Sequence, residues 1–231
     1  MTEQRPNRFA DPRLGDDLLW RDVRVRAFSP AVPALFLDRD GVIIEEKNYI
    51  STPDAVELLP GIPELIRAAR AAGIAVVEIT NQAGIGRGYF GWPEFVAVEN
   101  RVADLLAARG ARLDAVFACP FHASGRVPYR QPGHPWRKPN PGMIQEAARL
   151  LNLDLRHSAL MGDKAADQEA GRAAGLPYGI HVLTGYGNAE REMSAKVSTP
   201  AYIVHVVEQV ADAKALLPAK FCAVVSDGDR D

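Results

Sequence analysis

The sequence contains little cysteine and little net charge. Its 231 residues include two cysteines, Cys119 and Cys222, which are too few for a disulfide framework. Lys and Arg number 27 against 29 Asp and Glu, so we expect no basic surface for nucleic acid or for a membrane. No apolar run is long enough to span a membrane, and residues 1–20 contain no secretory signal. These absences predict a cytoplasmic protein without nucleic-acid or membrane partners.

What the sequence does contain is an alternation of strand-like and helix-like segments. Hydrophobic residues make up 47% of the chain, which is enough for the core of one large domain. Short apolar runs alternate with longer amphipathic segments, several of which end at a glycine such as Gly73. This pattern predicts an α/β fold with a Rossmann-like parallel sheet and helices on both faces. The predicted strands are PALFLD, IAVVEIT, LDAVFACP, SALMGD and YGIHVLT.

The two ends of the chain depart from this alternation. Residues 1–33 are rich in Arg, Asp and Pro, and we expect an N-terminal extension on the surface with a short strand within residues 22–28. Residues 34–217 form the predicted domain, whose last segment, from Tyr202, should begin as a strand and end as a helix. Residues 218–231 are expected to be a C-terminal tail.

Polar residues follow the predicted strands at the points where ligands bind in parallel sheets. In an extended segment, alternate residues point to the same side, so Asp38 and Asp40 can face one pocket. We expect acids, a hydroxyl and basic groups to converge on one edge of the sheet. These residues are Asp38 and Asp40 after the first strand, Thr80, Asn81 and Gln82 after the second, Arg137 and Lys138 before a helix, and Asp163, Lys164 and Asp167 after the fourth.

Such a group suits phosphate chemistry. Three carboxylates at close quarters repel one another unless a cation lies between them, and hard oxygen ligands favour Mg²⁺. Thr80 and Lys138 could supply donors to an anion. One acid of the pair Asp38 and Asp40 could attack phosphorus, while the other protonates the leaving alcohol and then activates water. Taken singly, Asp38 and Asp40 are consistent with turn acids, Lys138 with a surface lysine, and Asp163 and Lys164 with a helix N-terminus. Their joint order along the chain favours the site.

The motifs that carry these residues resemble those of the haloacid dehalogenase superfamily of phosphohydrolases. DRDGV, EITNQ, RKPNPGM and MGDKAAD are similar to its four motifs, in that order. The resemblance implies that Asp38 is the nucleophile, Asp40 the acid and base, and Thr80 and Lys138 the other catalytic residues. It also implies that Mg²⁺ is held by Asp38, by the main-chain oxygen of Asp40, and by Asp163.

A closer resemblance is to the family of D-glycero-D-manno-heptose 1,7-bisphosphate phosphatases, which is linked to the histidinol-phosphate phosphatases. It implies a monomeric or small homo-oligomeric enzyme without a separate cap domain, which takes the 7-phosphate from a phosphorylated sugar. Histidinol phosphate, or another small phosphomonoester, is the alternative substrate; a scaffold protein or a phosphomutase on the same fold is a more distant one. The substrate contacts that it implies are Glu46, Lys47, Asn48, Tyr49, Asn81, Gln82, Ala83, Arg137 and Lys164, with Arg137 on the second phosphate.

One loop departs from the family pattern. The family has a zinc site of the form Cys-x-His followed by Cys-x-Cys, but this chain keeps only Cys119 and has Phe121 in place of the histidine. His134 and Trp136 replace the last two cysteines. Cys119, His122 and His134 are an incomplete set for a closed zinc site, so we expect Mg²⁺ but no zinc, with an apolar cluster instead of the metal. For Arg87, in the glycine-rich segment GIGRGYFG, an anion contact and a surface turn remain equal alternatives.

Overall fold

A computed structural model describes residues 11–217. The predicted tail at 218–231, including Cys222, and the first ten residues of the predicted extension lie outside this range. The strands are β1 (Trp20–Val23), β2 (Ala34–Leu37), β3 (Ala75–Asn81), β4 (Ala115–Cys119), β5 (Ala159–Gly162), β6 (Tyr178–Val182) and β7 (Ile203–Val207). The α-helices are α1 (Ile62–Ala71), α2 (Ala83–Arg87), α3 (Trp92–Ala107), α4 (Gly142–Leu151), α5 (Ala165–Ala173) and α6 (Gly187–Lys196). Short 3-10 helices occur at Pro53–Ala55, Leu155–His157 and Val210–Leu216.

The strands form one seven-stranded sheet in the order β1-β4-β3-β2-β5-β6-β7. Strands β2 to β7 are parallel, whereas β1 runs antiparallel to β4 at the edge. This confirms the predicted α/β fold with a parallel sheet and adds one antiparallel strand from the N-terminal segment. No second domain is inserted among residues 11–217, as expected for a protein without a cap.

The order of the strands creates a crevice beside β2. From β2 the chain proceeds to β3 and β4 on one side, and then to β5, β6 and β7 on the other. In open parallel sheets, ligands bind at such a reversal, beyond the carboxyl ends of the strands. Leu37 at the end of β2 lies opposite Met161 in β5, so the residues that follow these two strands meet at the crevice.

Helices cover both faces of the sheet, and each face has its own apolar core. On one face, residues such as Leu65 of α1 and Phe95 of α3 pack against β2 and β3. On the other face, Met143 of α4 and Ala170 of α5 do the same. The four residues of β2 are fully buried, as expected for a central strand covered on both sides. Among the described residues, no helix combines the length and apolarity needed to cross a membrane.

Several local segments differ from their prediction or lacked one. The N-terminal strand is Trp20–Val23 rather than a strand within 22–28, because buried Trp20 stacks on Trp92, packs edge-on against Phe95 and fixes the segment two residues earlier. The glycine-rich segment that carries Arg87 forms the short helix α2, and α6 is a helix for which no prediction was made, because its polar residues lack a strong apolar pattern. The segment after β7 is helical as predicted, but in the tighter 3-10 form.

Candidate active site

Three carboxylates meet at the crevice between β2 and β5. Asp38 directly follows β2, Asp163 directly follows β5, and Asp167 lies in the first turn of α5. Ligand oxygens of the three side chains all lie within 4.8 Å of one another, and all three residues are buried. The sequence predicted a metal site of Asp38, the main-chain oxygen of Asp40, and Asp163; in the structure, the carboxylate of Asp167 lies close to those of Asp38 and Asp163.

Lys138 is the basic group among these acids. Its Nζ lies 2.9 Å from Asp38 Oδ1 and 2.7 Å from Asp167 Oδ1, and it donates a hydrogen bond to the Ile79 carbonyl at 2.9 Å. Burial alone would lower the pKa of Lys138, but the carboxylates of Asp167 and Asp38 outweigh that effect and raise the pKa. The lysine is therefore a fixed positive charge beside the oxygen of Asp38.

Asp163 is the least compensated acid of the three. Its Oδ2 accepts a hydrogen bond from the Tyr186 amide at 2.8 Å, while its Oδ1 is buried without a hydrogen-bond partner. Burial, followed by repulsion from Asp38 and Asp167, raises the pKa of Asp163 to about 8. Glycines allow this close approach: Gly41 and Gly185 both have positive φ, and a Cβ at either would lie within 2.4 Å and 2.3 Å, respectively, of Asp163 Oδ2.

Asp40 is held by two neighbours. Arg39 Nη2 lies 3.1 Å from Asp40 Oδ2, and Gln82 Nε2 donates to the same oxygen at 3.2 Å. Gln82 also donates to Thr80 Oγ1 at 2.8 Å, so Gln82 links the hydroxyl of the second predicted motif to the second acid of the first motif. Asp40 lines the pocket described next, whereas Thr80 is buried and is not among the lining residues.

A pocket of about 310 Å³ opens above this cluster. Most of the residues expected to contact substrate line it. They are Glu46, Asn48, Tyr49, Asn81, Gln82, Ala83, Arg137 and Lys164, together with Asp38, Asp40 and Lys138. Burial and the neighbouring Asp40 raise the pKa of Glu46, whose Oε2 lies 3.6 Å from Lys164 Nζ.

Lys47 is the exception among the expected substrate contacts. Its Nζ bonds to Glu57 and donates to the Ala55 carbonyl, and the side chain does not line the pocket. In the segment Glu46–Tyr49, residues on either side of Lys47 turn toward the pocket because Asn48 and Tyr49 adopt positive φ values of 52° and 59°. Lys47 therefore points away, toward its acidic partners.

A second cationic position lines the same pocket. Arg137 donates to the Phe121 carbonyl at 3.3 Å, and Arg87 contacts both the Tyr49 hydroxyl and His122 Nε2. Burial, reinforced by the charge of Arg87, lowers the pKa of Arg137. Both guanidinium groups belong to the pocket lining, so Arg87 lies where an anion contact is possible and not on a remote surface turn.

Two parts of the site were not assigned a role from the sequence. Asp167 was recognised as an acid at the sheet edge, but only the structure shows that it shares Lys138 with Asp38. The segment after β6 supplies the Tyr186 amide to Asp163, the Tyr186 hydroxyl to Asn48 Oδ1 at 2.8 Å, and the Thr184 hydroxyl to the Gly41 carbonyl at 2.6 Å. This segment follows a parallel strand, so the rule that located the other residues would have found it.

The loop between β4 and α4 is packed by aromatic rings. Phe121 stacks on His134 with ring centroids 4.1 Å apart, and Trp136 packs edge-on against Phe117. Cys119 Sγ lies 3.8 Å from His134 Nδ1, and burial raises the pKa of this thiol to about 12.

The residues that remain at the predicted zinc loop have contacts within the loop. His122 accepts from the Ser124 amide through Nδ1, and its Nε2 faces Arg87. His134 Nδ1 likewise accepts from the Trp136 amide, and Cys119, His122 and His134 are not among the described residues whose ligand atoms lie close enough to share one ion. We therefore retain the proposal that the aromatic cluster takes the place of the metal.

Taken together with the fold, this acid cluster and its buried lysine define a HAD-like phosphatase. A family model described as HAD-hydrolase-like matches residues 135–213. The D-glycero-beta-D-manno-heptose-1,7-bisphosphate 7-phosphatase of Mesorhizobium japonicum is 51% identical over 154 residues, which is 67% of this chain and 71% of that protein.

Two solved structures extend the likeness to the fold. A HAD-like phosphatase from Mesorhizobium loti gives a TM-score of 0.78 at 40% identity, over 89% of this chain and 96% of its own. The D,D-heptose 1,7-bisphosphate phosphatase of B. bronchiseptica, crystallised with magnesium and phosphate, gives 0.70 at 30% identity, over 81% and 99%. The chain belongs to the family of heptose 1,7-bisphosphate phosphatases and is a phosphatase; the named relatives do not favour histidinol phosphate as the alternative substrate.

Proposed function

We propose that this phosphatase removes the 7-phosphate of a D-glycero-D-manno-heptose 1,7-bisphosphate with the help of Mg²⁺, through a phosphoryl group carried on Asp38. The observation that carries the proposal is the presence of two separate cationic positions in one pocket. Lys138 lies beside Asp38, where a transferring phosphoryl group would bind. Arg137 lies beside the Phe121 carbonyl, with Arg87 near it, where a second phosphate would find a guanidinium.

The acids at the crevice fit a magnesium ion. Asp38 and Asp163 offer hard oxygen ligands, and the buried Oδ1 of Asp163 accepts no hydrogen bond; the Nζ of Lys164 lies 3.7 Å from it. The carboxylate of Asp167 forms an ion pair with Lys138, so we assign Asp167 to holding the lysine. The main-chain oxygen of Asp40 remains the proposed third ligand. When bound, the ion would offset the negative charge of the phosphoryl oxygens and of the aspartates.

The residues of the chain perform the proton and phosphoryl transfers. Asp38 Oδ1 is engaged by Lys138 and by the Arg39 amide, so Oδ2 is the oxygen available to attack phosphorus. As the bond from Oδ2 to phosphorus forms, the bond from phosphorus to the C7 oxygen breaks, and Asp40 gives its proton to that oxygen. Asp40 then takes a proton from water, whose oxygen attacks phosphorus, releases inorganic phosphate and restores the Asp38 carboxylate. Lys138 holds positive charge beside the transferring group throughout.

The proposed substrate is tested by measuring phosphate release with MgCl₂ from heptose 1,7-bisphosphate and from histidinol phosphate. We expect kcat/KM to favour the bisphosphate strongly, and Asp38→Asn to abolish release from both. Arg137→Met should reduce kcat/KM for the bisphosphate by about 10²-fold, as expected for the loss of a charge-assisted contact worth about 2–3 kcal/mol. It should affect a monoester far less.

A matched control is Arg130→Met. Arg130 belongs to the same loop, but its side chain bonds to the Gly125 carbonyl and lies outside the pocket lining. This variant should retain the preference of the wild type. Equal losses of kcat/KM on the bisphosphate and the monoester in Arg137→Met would reject heptose bisphosphate as the substrate. If the protein releases phosphate from a monoester only, and Asp38→Asn abolishes that release, the proposed chemistry stands and the proposed substrate is wrong.

A further inference from the structure

A cluster of buried charges lies next to Asp40, on the side of the sheet covered by α3. Arg39, Glu78 and Glu99 are exposed by only 1%, 0% and 2%, respectively. Arg39 comes between the two acids of the first motif, Glu78 lies in β3, and Glu99 lies in α3, 60 residues further along the chain than Arg39. Charged side chains are almost never buried to this extent unless they are paired, so the cluster requires an explanation.

Arg39 connects Glu99 with Asp40. Its Nη1 donates to Glu99 Oε1 at 2.9 Å, while its Nη2 reaches Asp40 Oδ1 at 3.2 Å and Oδ2 at 3.1 Å. The guanidinium also lies 5.6 Å from the centroid of the Phe95 ring. The planar fork of Arg39 is thus fixed at one end by a helix and holds both carboxylate oxygens of Asp40 at the other.

The charge of Arg39 is maintained by its acidic neighbours. Burial alone would lower the pKa of Arg39, but Asp40, Glu99 and Glu78 outweigh it and raise the pKa. Of the two buried glutamates, Glu99 is the one that accepts a hydrogen bond from the Arg39 guanidinium. Glu78 is different, because neither of its carboxyl oxygens has a hydrogen-bond partner and burial raises its pKa well above the usual range. Glu78 therefore shares the surroundings of Glu99 but not its contact with Arg39.

We propose that Glu99 is a positioning residue for the reaction: by holding Arg39, it fixes the direction in which the Asp40 carboxyl group faces the leaving oxygen. This inference rests on the proposed function, in which Asp40 is the proton donor. Gln82 supports Asp40 Oδ2 from a second direction, so the carboxyl group is held by donors from α3 through Arg39 and from the end of β3. A proton donor must be aligned with the breaking bond for efficient transfer.

The role of Asp40 as proton donor distinguishes two kinds of substrate. An alkyl phosphate, such as the bisphosphate, leaves as a strongly basic alkoxide and needs the proton. An aryl phosphate, such as p-nitrophenyl phosphate, leaves as a weakly basic phenolate and does not. The parameter kcat/KM reports only the steps up to the first irreversible one, which is formation of the phosphoryl-Asp38 bond and loss of the leaving group. A misaligned Asp40 should therefore reduce kcat/KM for the alkyl phosphate and spare that for the aryl phosphate.

The experiment compares kcat/KM for heptose 1,7-bisphosphate and p-nitrophenyl phosphate in four variants of the full chain. Asp40→Asn gives the reference for complete loss of the proton donor, about 10²- to 10⁴-fold on the alkyl substrate. Because Glu99→Met alone would leave Arg39 less compensated, the main variant is the double substitution Arg39→Met with Glu99→Met, which replaces a buried ion pair by apolar residues and is expected to fold. Glu99→Gln keeps an acceptor oxygen for Arg39. Glu78→Gln is the matched control.

We expect the double variant to lose at least about 10-fold on the bisphosphate and less than about 3-fold on the aryl phosphate, within the range of general acid catalysis. Glu99→Gln should lie between it and the wild type, and Glu78→Gln should keep the wild-type ratio of the two substrates. Equal losses on both substrates, or an unchanged ratio in the double variant, would overturn the positioning role. A wild-type protein whose release of phosphate is insensitive to Asp38→Asn would instead reject the proposed function itself.

Discussion

Replacing Asp163 by asparagine should change how the stability of the metal-free protein depends on pH. In the folded chain, burial and the neighbouring Asp38 and Asp167 raise the pKa of Asp163 from 3.8 to about 8. Between these two values the folded state keeps a proton that the unfolded state has released. Unfolding then releases a proton, so the free energy of unfolding falls as pH rises through this window. Above about pH 8 the full penalty of the ionised carboxylate is present.

The size of the effect follows from the shift. Roughly four pKa units at about 1.4 kcal/mol each give about 6 kcal/mol, which is an upper limit because the buried acids Asp163 and Asp167 interact and do not titrate independently. In Asp163→Asn the amide carries no charge, so this part of the pH dependence should disappear. The variant should therefore be more stable than the wild type at pH 8 in EDTA, and the difference should shrink toward pH 5.

The assay is urea unfolding in EDTA from pH 5 to pH 8.5, repeated with saturating MgCl₂. Titrating groups that do not interact with Asp163 cancel in the difference between the unfolding free energies of the two proteins. A ligand that binds only the folded state at 100 times its Kd adds about 2.7 kcal/mol, so Mg²⁺ should stabilise the wild type markedly at pH 8 and Asp163→Asn very little. Parallel pH curves for the two proteins in EDTA would refute the reasoning, as would an equal response to Mg²⁺.

Two further predictions concern the surroundings of the site. Gly185→Ala should reduce Mg²⁺-dependent phosphate release at least about 10-fold, because the new Cβ would displace the Asp163 carboxylate from its position. The control is Gly175→Ala, since Gly175 also has a positive φ but no atom lies within 4 Å of the added Cβ; this variant should lose stability and keep its activity. Equal losses of activity in the two variants would contradict the prediction. Arg21→Ala should lower stability by about 1–2 kcal/mol and raise KM for the bisphosphate, because Arg21 lies 4.3 Å from the centroid of the Trp136 ring beside Arg137. The control is Arg13→Ala, which removes a comparable contact with the Trp20 ring, 4.6 Å away, and should lower stability without raising KM. An equal rise of KM in the Arg21 and Arg13 variants would show that Arg21 does not act on the substrate through the Trp136 loop.

The sheet and most of the pocket could be predicted because one rule connects them. Residues that follow parallel strands lie at the same edge of the sheet, so Asp38, Thr80 and Asp163 could be grouped from the sequence alone. The strands themselves were recognisable because strands buried on both faces are short continuous apolar runs, as in ALFL of β2. Strand order was not needed for this conclusion. It was needed to see that the crevice lies between β2 and β5, where Asp38 and Asp163 meet.

Other features depend on contacts that are distant in sequence or on backbone turns without a regular period. Lys47 was grouped with its neighbours by motif, but positive φ values at Asn48 and Tyr49 turn those residues to the pocket and leave Lys47 with Glu57. Glu99 looked like one more charge on an amphipathic helix, and nothing local distinguishes it from exposed acids of α3. Its role emerges only because α3 packs over the strand end that carries Arg39.

Two apparently separate oddities of the sequence meet in the structure. One is the N-terminal segment before the first predicted strand of the domain; the other is the aromatic loop that leads to Arg137, in which the resemblance implies that zinc ligands are missing. Strand β1 pairs with β4 at the edge of the sheet, which places the guanidinium of Arg21 over Trp136, one of the residues that replaced a cysteine. Arg21 is itself held by Glu146 of α4 at 3.0 Å and by Asp17 at 2.7 Å. We propose that aromatic packing takes the place of a metal in this loop, and that the N-terminal segment supports the packing with the cation of Arg21.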